Sequence, residues 1–279
     1  MSYYFYILYL LSVQMITAEI NKCVECASKN LKGRWGLTGF AQTFRDHSFT
    51  TTCTLGTDTE HYIRCSGSCM TYLFQDPDNT DTSDVGLMVV RGCHQRLLGI
   101  QSTIFNNQAL NGSYCEYDKD LERLDSHGNK VYIKALVEFC TGEACNTKVK
   151  DFSIATTCSG PANLINNSDR MCYSCNAMEK NCMHKQEHCS KKFCSKTVIK
   201  FKDLHAVHKA CTDINLLGNA NGCTSSDIVA IPGNLLKLRG DIAENCIYSC
   251  EVYWRCKDNY GVCVPPNGCE QTCQKRPKP

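Results

Sequence analysis

Past residue 17 the 279-residue sequence has no long hydrophobic run, and neither half has apolar residues recurring at helical spacing over any length. The first absence leaves the mature chain without a candidate membrane span, which takes roughly 20 apolar residues. The second argues against a helical bundle. An excess of one charge is also lacking: 30 Lys and Arg stand against 28 Asp and Glu, a net charge of +2. That balance argues against nucleic acid as a partner, because such proteins concentrate positive charge. No G-x-S-x-G segment occurs, so the serine nucleophile elbow is absent. The closing CQKRPKP is not the apolar tail that a lipid-anchoring machinery removes.

What is abundant is cysteine. Twenty-three in 279 residues approaches the density of a disulfide scaffold, which persists only in an oxidising compartment. Residues 3–17, YYFYILYLLSVQMIT, carry no charge and have the length of a signal-peptide apolar region, although no Lys or Arg precedes them. With Ile16 and Ala18 as cleavage context, residues 1–18 are expected to be removed and the mature chain to be soluble and secreted. In that compartment Asn111-Gly112-Ser113 and Asn166-Asn167-Ser168 become glycosylation sites, on Asn111 and Asn166.

The chain reads as a rough duplication. One half opens with CVEC (Cys23, Cys26) and the other with CYSC (Cys172, Cys175). Residues 19–160 carry 14 Lys and Arg against 17 Asp and Glu, net −3, and residues 161–279 carry 16 against 11, net +5. Such a contrast suits two domains with separate surfaces. Residues 147–170, which hold Gly, Pro, Asn and Ser but little apolar periodicity, are expected to be a linker. Both halves consist of short β-branched and aromatic segments bounded by turn residues, a strand-and-turn signature. In VYIKALVEF, residues 131–139, Val131, Ile133, Ala135, Val137 and Phe139 share one face at period two. The turn SHGN precedes it, and the charged EYDKDLERLD before that suits the exposed arm of a hairpin. A second hairpin is expected between Cys69 and Cys93 with DPDNTDTSD at its tip, and a third between Cys26 and Cys53. CSKTVIKFKDLHAVHKAC, residues 194–211, reads as a compact hairpin in the second half, with Pro232-Gly233 marking a later turn.

Several constellations have residue types that could carry chemistry. The CxxC pairs are expected to be structural disulfides, because zinc binding needs reduced thiolates and the redox motif needs a βαβ context that is missing. His184/His188 and His205/His208 fall in hairpin or loop segments without a metalloprotease pattern, and suit exposed polar positions. The acidic run Asp76, Asp78, Asp81 and Asp84 lacks the glycine and terminal glutamate of a calcium loop and suits a solvated tip. Lys196, Lys200 and Lys202 would line one strand face with Val198. They form either a solvated face or a contact to an acidic partner or sulfated glycan. No metal or cofactor is implied. Twenty-three cysteines cannot all pair within one chain, and Cys158, Cys263, Cys269 and Cys273 are the candidates for the odd thiol.

Paired opening cysteines, cysteine-tethered hairpins, VVRGC (residues 89–93) and the closing CTGEACN (residues 140–146) resemble the Ly6/uPAR three-finger superfamily, nearest its invertebrate olfactory Ly6-like branch. The second half, CYSC followed by Cys182, Cys189 and Cys194, resembles the ET module. The likeness covers residues 21–146 and 171–256. It implies an all-β, small, disulfide-rich fold of two tandem three-finger domains: residues 19–146, then, after the linker, a second cysteine-rich domain at 171–256 and a cysteine-containing tail at 257–279. It further implies the bonds Cys23–Cys69, Cys26–Cys53, Cys65–Cys93 and Cys140–Cys145, with Asn146 locking the terminal segment against the first strand. In the second half Cys172, Cys175, Cys182, Cys189, Cys194 and Cys211 are implied to be bonded, with no pairing assigned. The chain departs from the family at Phe139, where another cysteine is usual, so Cys115 is left to pair with Cys158 or with nothing. The functional implication is a secreted, non-enzymatic binding protein acting on an extracellular or membrane receptor or ion channel. The alternatives are a disulfide-crosslinked matrix protein and a secreted hydrolase inhibitor.

Overall fold

The computed structural model describes residues 21–40, 44–57, 61–79, 86–98, 113–125, 130–160, 170–173, 186–201, 204–218, 222–226, 242–248, 255–257 and 262–264. Among the described residues sixteen strands carry the fold, and every helix is short. They are β1 (Asn21–Val24), β2 (Cys26–Ser28), β3 (Phe49–Thr50), β4 (Tyr62–Cys65), β5 (Cys69–Gln75), β6 (Leu87–Cys93), β7 (Tyr114–Leu124) and β8 (Lys130–Cys140). The second half adds β9 (Arg170–Tyr173), β10 (Gln186–Cys189), β11 (Phe193–Phe201), β12 (Leu204–Thr212), β13 (Gly222–Ser226), β14 (Ile242–Tyr248), β15 (Arg255–Lys257) and β16 (Val262–Val264). The protein is thus strand-rich and crosslinked, and none of its described helices is long and apolar enough to cross a membrane.

The first half is organised by one six-stranded sheet, in the order β3-β2-β6-β5-β8-β7, with the small sheet β1-β4 beside it. Period two assigns its faces. On β8, Ile133, Ala135, Val137 and Phe139 enter the larger apolar cluster, joined by Met70, Tyr72 and Phe74 from β5 and Met88 and Val90 from β6. The opposite face is also covered: Leu73, Val89 and Leu136 pack with Val24, Cys26, Cys53 and Val149. A sheet clad on both sides keeps its β-branched and aromatic residues dry, and each fully buried one contributes about 1.5–3 kcal/mol.

Cysteines close the base of these hairpins. Cys69 on β5 stands opposite Cys93 on β6 and Cys140 on β8, so three sulfurs lie in one row across the sheet. Each is bonded outside the row, in Cys23–Cys69, Cys65–Cys93 and Cys140–Cys145. The six pack as one buried cluster with Ile63 against it. Cys26–Cys53 fixes β2 to the one-turn helix Thr52–Leu55. These four pairs are the ones the family resemblance implies. Gly56 ends that helix with φ +66°, and a Cβ there would stand 2.4 Å from the Thr147 carbonyl oxygen, so glycine is required twice over.

The five-residue step from Cys140 to Cys145 places Asn146 beneath the sheet, where it is fully buried. Its Oδ1 accepts from Val24 N–H at 3.0 Å, and its Nδ2 donates to Val24 O at 2.9 Å and to Met70 O at 3.3 Å. Arg91, also fully buried, donates from Nε to Cys53 O (2.9 Å), from Nη2 to Val149 O (2.7 Å) and from Nη1 to Asn146 O. One guanidinium thus ties three chain segments together. Burial pulls it down to about 10, with the Glu138 charge opposing the shift, and it remains charged at neutral pH.

Two sequence expectations about these loops are corrected. The loop between Cys26 and Cys53 is not a projecting hairpin. Trp35, Leu37, Phe40 and Phe44 fold it back onto the sheet through 3-10 turns, and β3 pairs parallel to β2. Its aromatics gain more from burial than from extension into water. Residues 147–160 are not an unstructured linker: the 3-10 helix Phe152–Thr157, capped by the Asp151 carboxylate on Ser153 N–H at 2.8 Å, packs Phe152 and Ile154 against the second cluster. Of the two alternatives left for Cys115, the bond to Cys158 is the one present, which removes Cys158 from the candidates for the odd thiol, and Gly160 N–H donates to Cys115 O at 2.9 Å.

In the second half, β11 and β12 form the expected hairpin with Phe201 opposite Leu204, and β14 and β13 extend it to the sheet order β12-β11-β14-β13. Cys172–Cys194 and Cys189–Cys211 tie the β9-β10 hairpin to it. The expected turn at Pro232-Gly233 lies outside the described residues. The two halves do not keep separate surfaces, because Phe193, Ile214 and Leu217 belong to the same apolar cluster as Tyr72, Val137 and Phe139.

Candidate functional site

A further correction concerns β7, and it locates the polar centre of the molecule. Tyr114, Glu116 and Asp118 stand opposite Phe139, Val137 and Ala135, which puts them on the core-facing side of the sheet. Glu116 and Asp118 are completely buried, so this strand is not the exposed arm its charges suggest. The segment 191–217 supplies their partners. Lys191 Nζ lies 2.6 Å from Asp118 Oδ1 and Asp213 N–H donates to Asp118 Oδ2 at 2.9 Å. Asn215 N–H donates to Glu116 Oε2 at 2.6 Å. A bulge between Asp118 and Leu121 turns the Asp120 carbonyl toward Lys191 as well.

His94 completes the seam from the other side. It stacks edge-on against Phe139 at 4.8 Å and its Nε2 lies 2.8 Å from Leu216 O. A carbonyl only accepts, so Nε2 carries the proton. Burial pulls His94 down to about 4, which keeps the ring neutral. Burial also pushes Glu116 up to about 8, against the Asn215 N–H bond and the Lys192 charge that favour the anion. Among the described residues Glu116 Oε1 and Tyr114 Oη have no hydrogen-bond partner. An unpaired oxygen on a neutral carboxyl is far cheaper than one on a buried carboxylate.

These groups make the union of the halves depend on pH. Glu116 moves from 4.5 to about 8 on folding, so the folded chain binds more protons between those values and stability falls as pH rises through them. His94 moves from 6.5 to about 4, so its contribution is present above 6.5 and is lost as pH falls toward 4. The two slopes offset each other between about 4.5 and 6.5, and above 6.5 only Glu116 of the two still contributes. The expected result is a loss of up to about 1.4 kcal/mol per pH unit between 6.5 and 8. Denaturant midpoints measured across that range check it: Glu116→Gln should flatten the decline, and a flat wild-type profile would refute the assignment.

The acids of this seam face the chain's own amides and lysine, which is the chemistry of attachment. Cys172, Cys189 and Cys211 bring their sulfurs within 4.8 Å of one another, but all three are committed to disulfides.

The other predicted positions are placed as follows. Lys196 and Lys200 lie on β11, flanked by β12 and β14, with Lys196 opposite Lys209 and Lys200 opposite His205. The row is therefore on an interior strand rather than a sheet edge. Lys202, Asn111, Asn166, Cys175 and Cys182 lie outside the described residues. Sequence reasoning missed the outer face of the β7-β8 hairpin. Tyr132 is 58% exposed there, with Lys130 Nζ 5.5 Å from its ring centroid, Lys130 paired to Glu122 at 2.6 Å, and Lys134 exposed nearby. The signal was present in the alternation of VYIKALVEF, where Tyr132 and Lys134 turn away from the larger cluster at the hairpin's outer end. Also missed was Arg34, which grips Asp76 through both terminal nitrogens at 2.6 and 2.7 Å and also contacts Asp78. It braces the start of the acidic hairpin tip.

No protein-family model matches the chain, and no curated protein matches it.

Proposed function

We propose that this chain is a secreted, non-enzymatic binding protein of the three-finger type, a ligand or modulator of a cell-surface receptor or ion channel. The observation that carries the reading is the cystine cluster at the hairpin bases, three bonds packed as one buried unit beneath β5, β6 and β8. A rigid base of that kind lets exposed hairpin faces vary without unfolding. The Asn146 lock supports the same family assignment. The second half is then a further cysteine-rich module fastened to the first through the polar seam, so the two present one jointed surface.

The outer face of β7-β8 is the favoured contact, because Tyr132 offers a rigid aromatic with flanking charge, the composition of binding hot spots. The experiment is binding of the protein from the culture medium to neuronal and epithelial cells. Saturable binding is expected to weaken at least tenfold in Tyr132→Ala/Lys134→Ala with the thermal midpoint unchanged. Unaltered binding by that variant, or none by the wild type, overturns the reading.

A second reading is favoured by one count. The seven described disulfides use 14 of the 23 cysteines, leaving nine, an odd number. A thiol bonded between chains would make the protein a crosslinked matrix component. A multimer on non-reducing gels that collapses on reduction supports this second reading, and a monomer removes it.

A further inference from the structure

Between β1 and β2, Glu25 sits at a break in the strand with its side chain turned under the surface, only 8% exposed. Its N–H donates to His61 O at 2.8 Å, which draws the segment before β4 against it. Four cationic or protonatable groups lie close enough to act on its carboxylate: Arg96 from the one-turn helix His94–Leu97, Arg45 and His47 around the 3-10 helix Asp46–Ser48, and His61. Arg96 Nη1 is 3.3 Å from Glu25 Oε2, yet that oxygen makes no hydrogen bond among the described residues. The His47 and His61 rings stack with centroids 5.0 Å apart.

The charge does not balance. Two guanidiniums against one carboxylate leave +1 before either imidazole is protonated, and Arg45, His47 and much of Arg96 face solvent. The excess is local, since residues 19–160 as a whole carry net −3. Asp46, between Arg45 and His47, is paired with Lys32 at 3.3 Å and so leaves that count unchanged, and further acids of this half are held in the Arg34–Asp76–Asp78 brace and in the buried seam. Glu25 thus acts as a post under the surface that gathers more positive charge than it neutralises. Each guanidinium has five donors, and one contact at 3.3 Å engages few of them. Outward-facing forks of this kind match the oxygens of a strong oxyanion in pairs. The groups come from separate segments and are presented at the surface, which suits a linear polyanion with regularly spaced acidic groups.

We propose that Arg45, His47, His61 and Arg96, arranged over Glu25, form a binding site for a sulfated glycan chain. The site depends on the preceding functional reading only for its extracellular setting, and is independent of which receptor the hairpin faces engage. It also differs from the Lys196, Lys200 and Lys202 row to which the sequence alone pointed.

The test is calorimetric titration of the full secreted protein with a heparin-derived oligosaccharide and with its desulfated counterpart, at low and physiological salt. Binding is expected for the sulfated form alone, weakening steeply with salt as exposed ionic contacts are screened. Arg45→Gln/Arg96→Gln should weaken it at least tenfold. Because Arg96 also faces the buried Glu25, a second variant, Arg45→Gln/His47→Gln, changes only exposed groups and should show a loss of the same order with the fold intact. Lys196→Gln/Lys200→Gln/Lys202→Gln should bind as the wild type does. The proposal is overturned by any of four results: no binding, equal binding of the desulfated chain, binding that survives Arg45→Gln/His47→Gln, or a loss confined to the lysine variant. Cell binding that requires Tyr132 but persists without cell-surface glycans would uphold the receptor reading whatever the calorimetry gives.

Discussion

Replacing Arg91 with alanine is expected to destabilise the disulfide-intact protein by on the order of 4 kcal/mol. The side chain is fully buried and donates to three backbone carbonyls, those of Cys53 in one segment and of Asn146 and Val149 in another. Truncation would remove all three donors and leave a void on the sheet face that Val89 shares with the second apolar cluster. The Glu138 carboxyl, whose Oε2 already lacks a hydrogen bond, would lose its compensating charge and be pushed higher still. Methionine should cost less, about 2 kcal/mol, because it fills the volume and removes a desolvated charge along with the lost bonds. The measurement is the guanidinium chloride midpoint at unchanged m. A loss below about 1 kcal/mol for the alanine variant would mean that the carbonyls are satisfied without Arg91.

Phe193→Ala should have an effect of similar size in a different place. Phe193 is 1% exposed, shares the cluster of Val137 and Phe139, and precedes the residues that hold Glu116 and Asp118. Its truncation is expected to cost about 4 kcal/mol, spent on the attachment of the second half. Amide exchange at Asp213 and Asn215 should then accelerate by roughly a thousandfold through local opening, while amides of β5 and β6 keep their protection. Uniform acceleration across both halves would indicate a single cooperative unit. No acceleration at either amide would show that the seam holds without its apolar neighbour.

Both predictions rest on contacts of very different legibility. The strand faces were plain in the letters: VYIKALVEF alternates, and Ile133, Ala135, Val137 and Phe139 enter the core together. The aromatics between Cys26 and Cys53 were equally visible, but their return onto the sheet was not, because a loop rich in Trp and Phe has no periodicity to declare where it packs. Glu116 and Asp118 were the deepest misjudgement. Acids on an edge strand ordinarily face water, and nothing local distinguishes these two. The Asn215 N–H that Glu116 receives is 99 residues away in sequence. The Arg45, His47, His61 and Arg96 group was invisible for the same reason, since its members come from three separated segments gathered by one glutamate.

The sequence by itself determined the material of this protein: short alternating strands, and cysteines dense enough to replace a large core. Period two and chain reach are local properties, and they survive translation from letters to structure. The tertiary structure alone decided which side of β7 is inside, how the halves join and where positive charge collects. Those outcomes depend on which distant segment arrives to cover a face, and burial of a charged group is favourable only when that segment brings its partner.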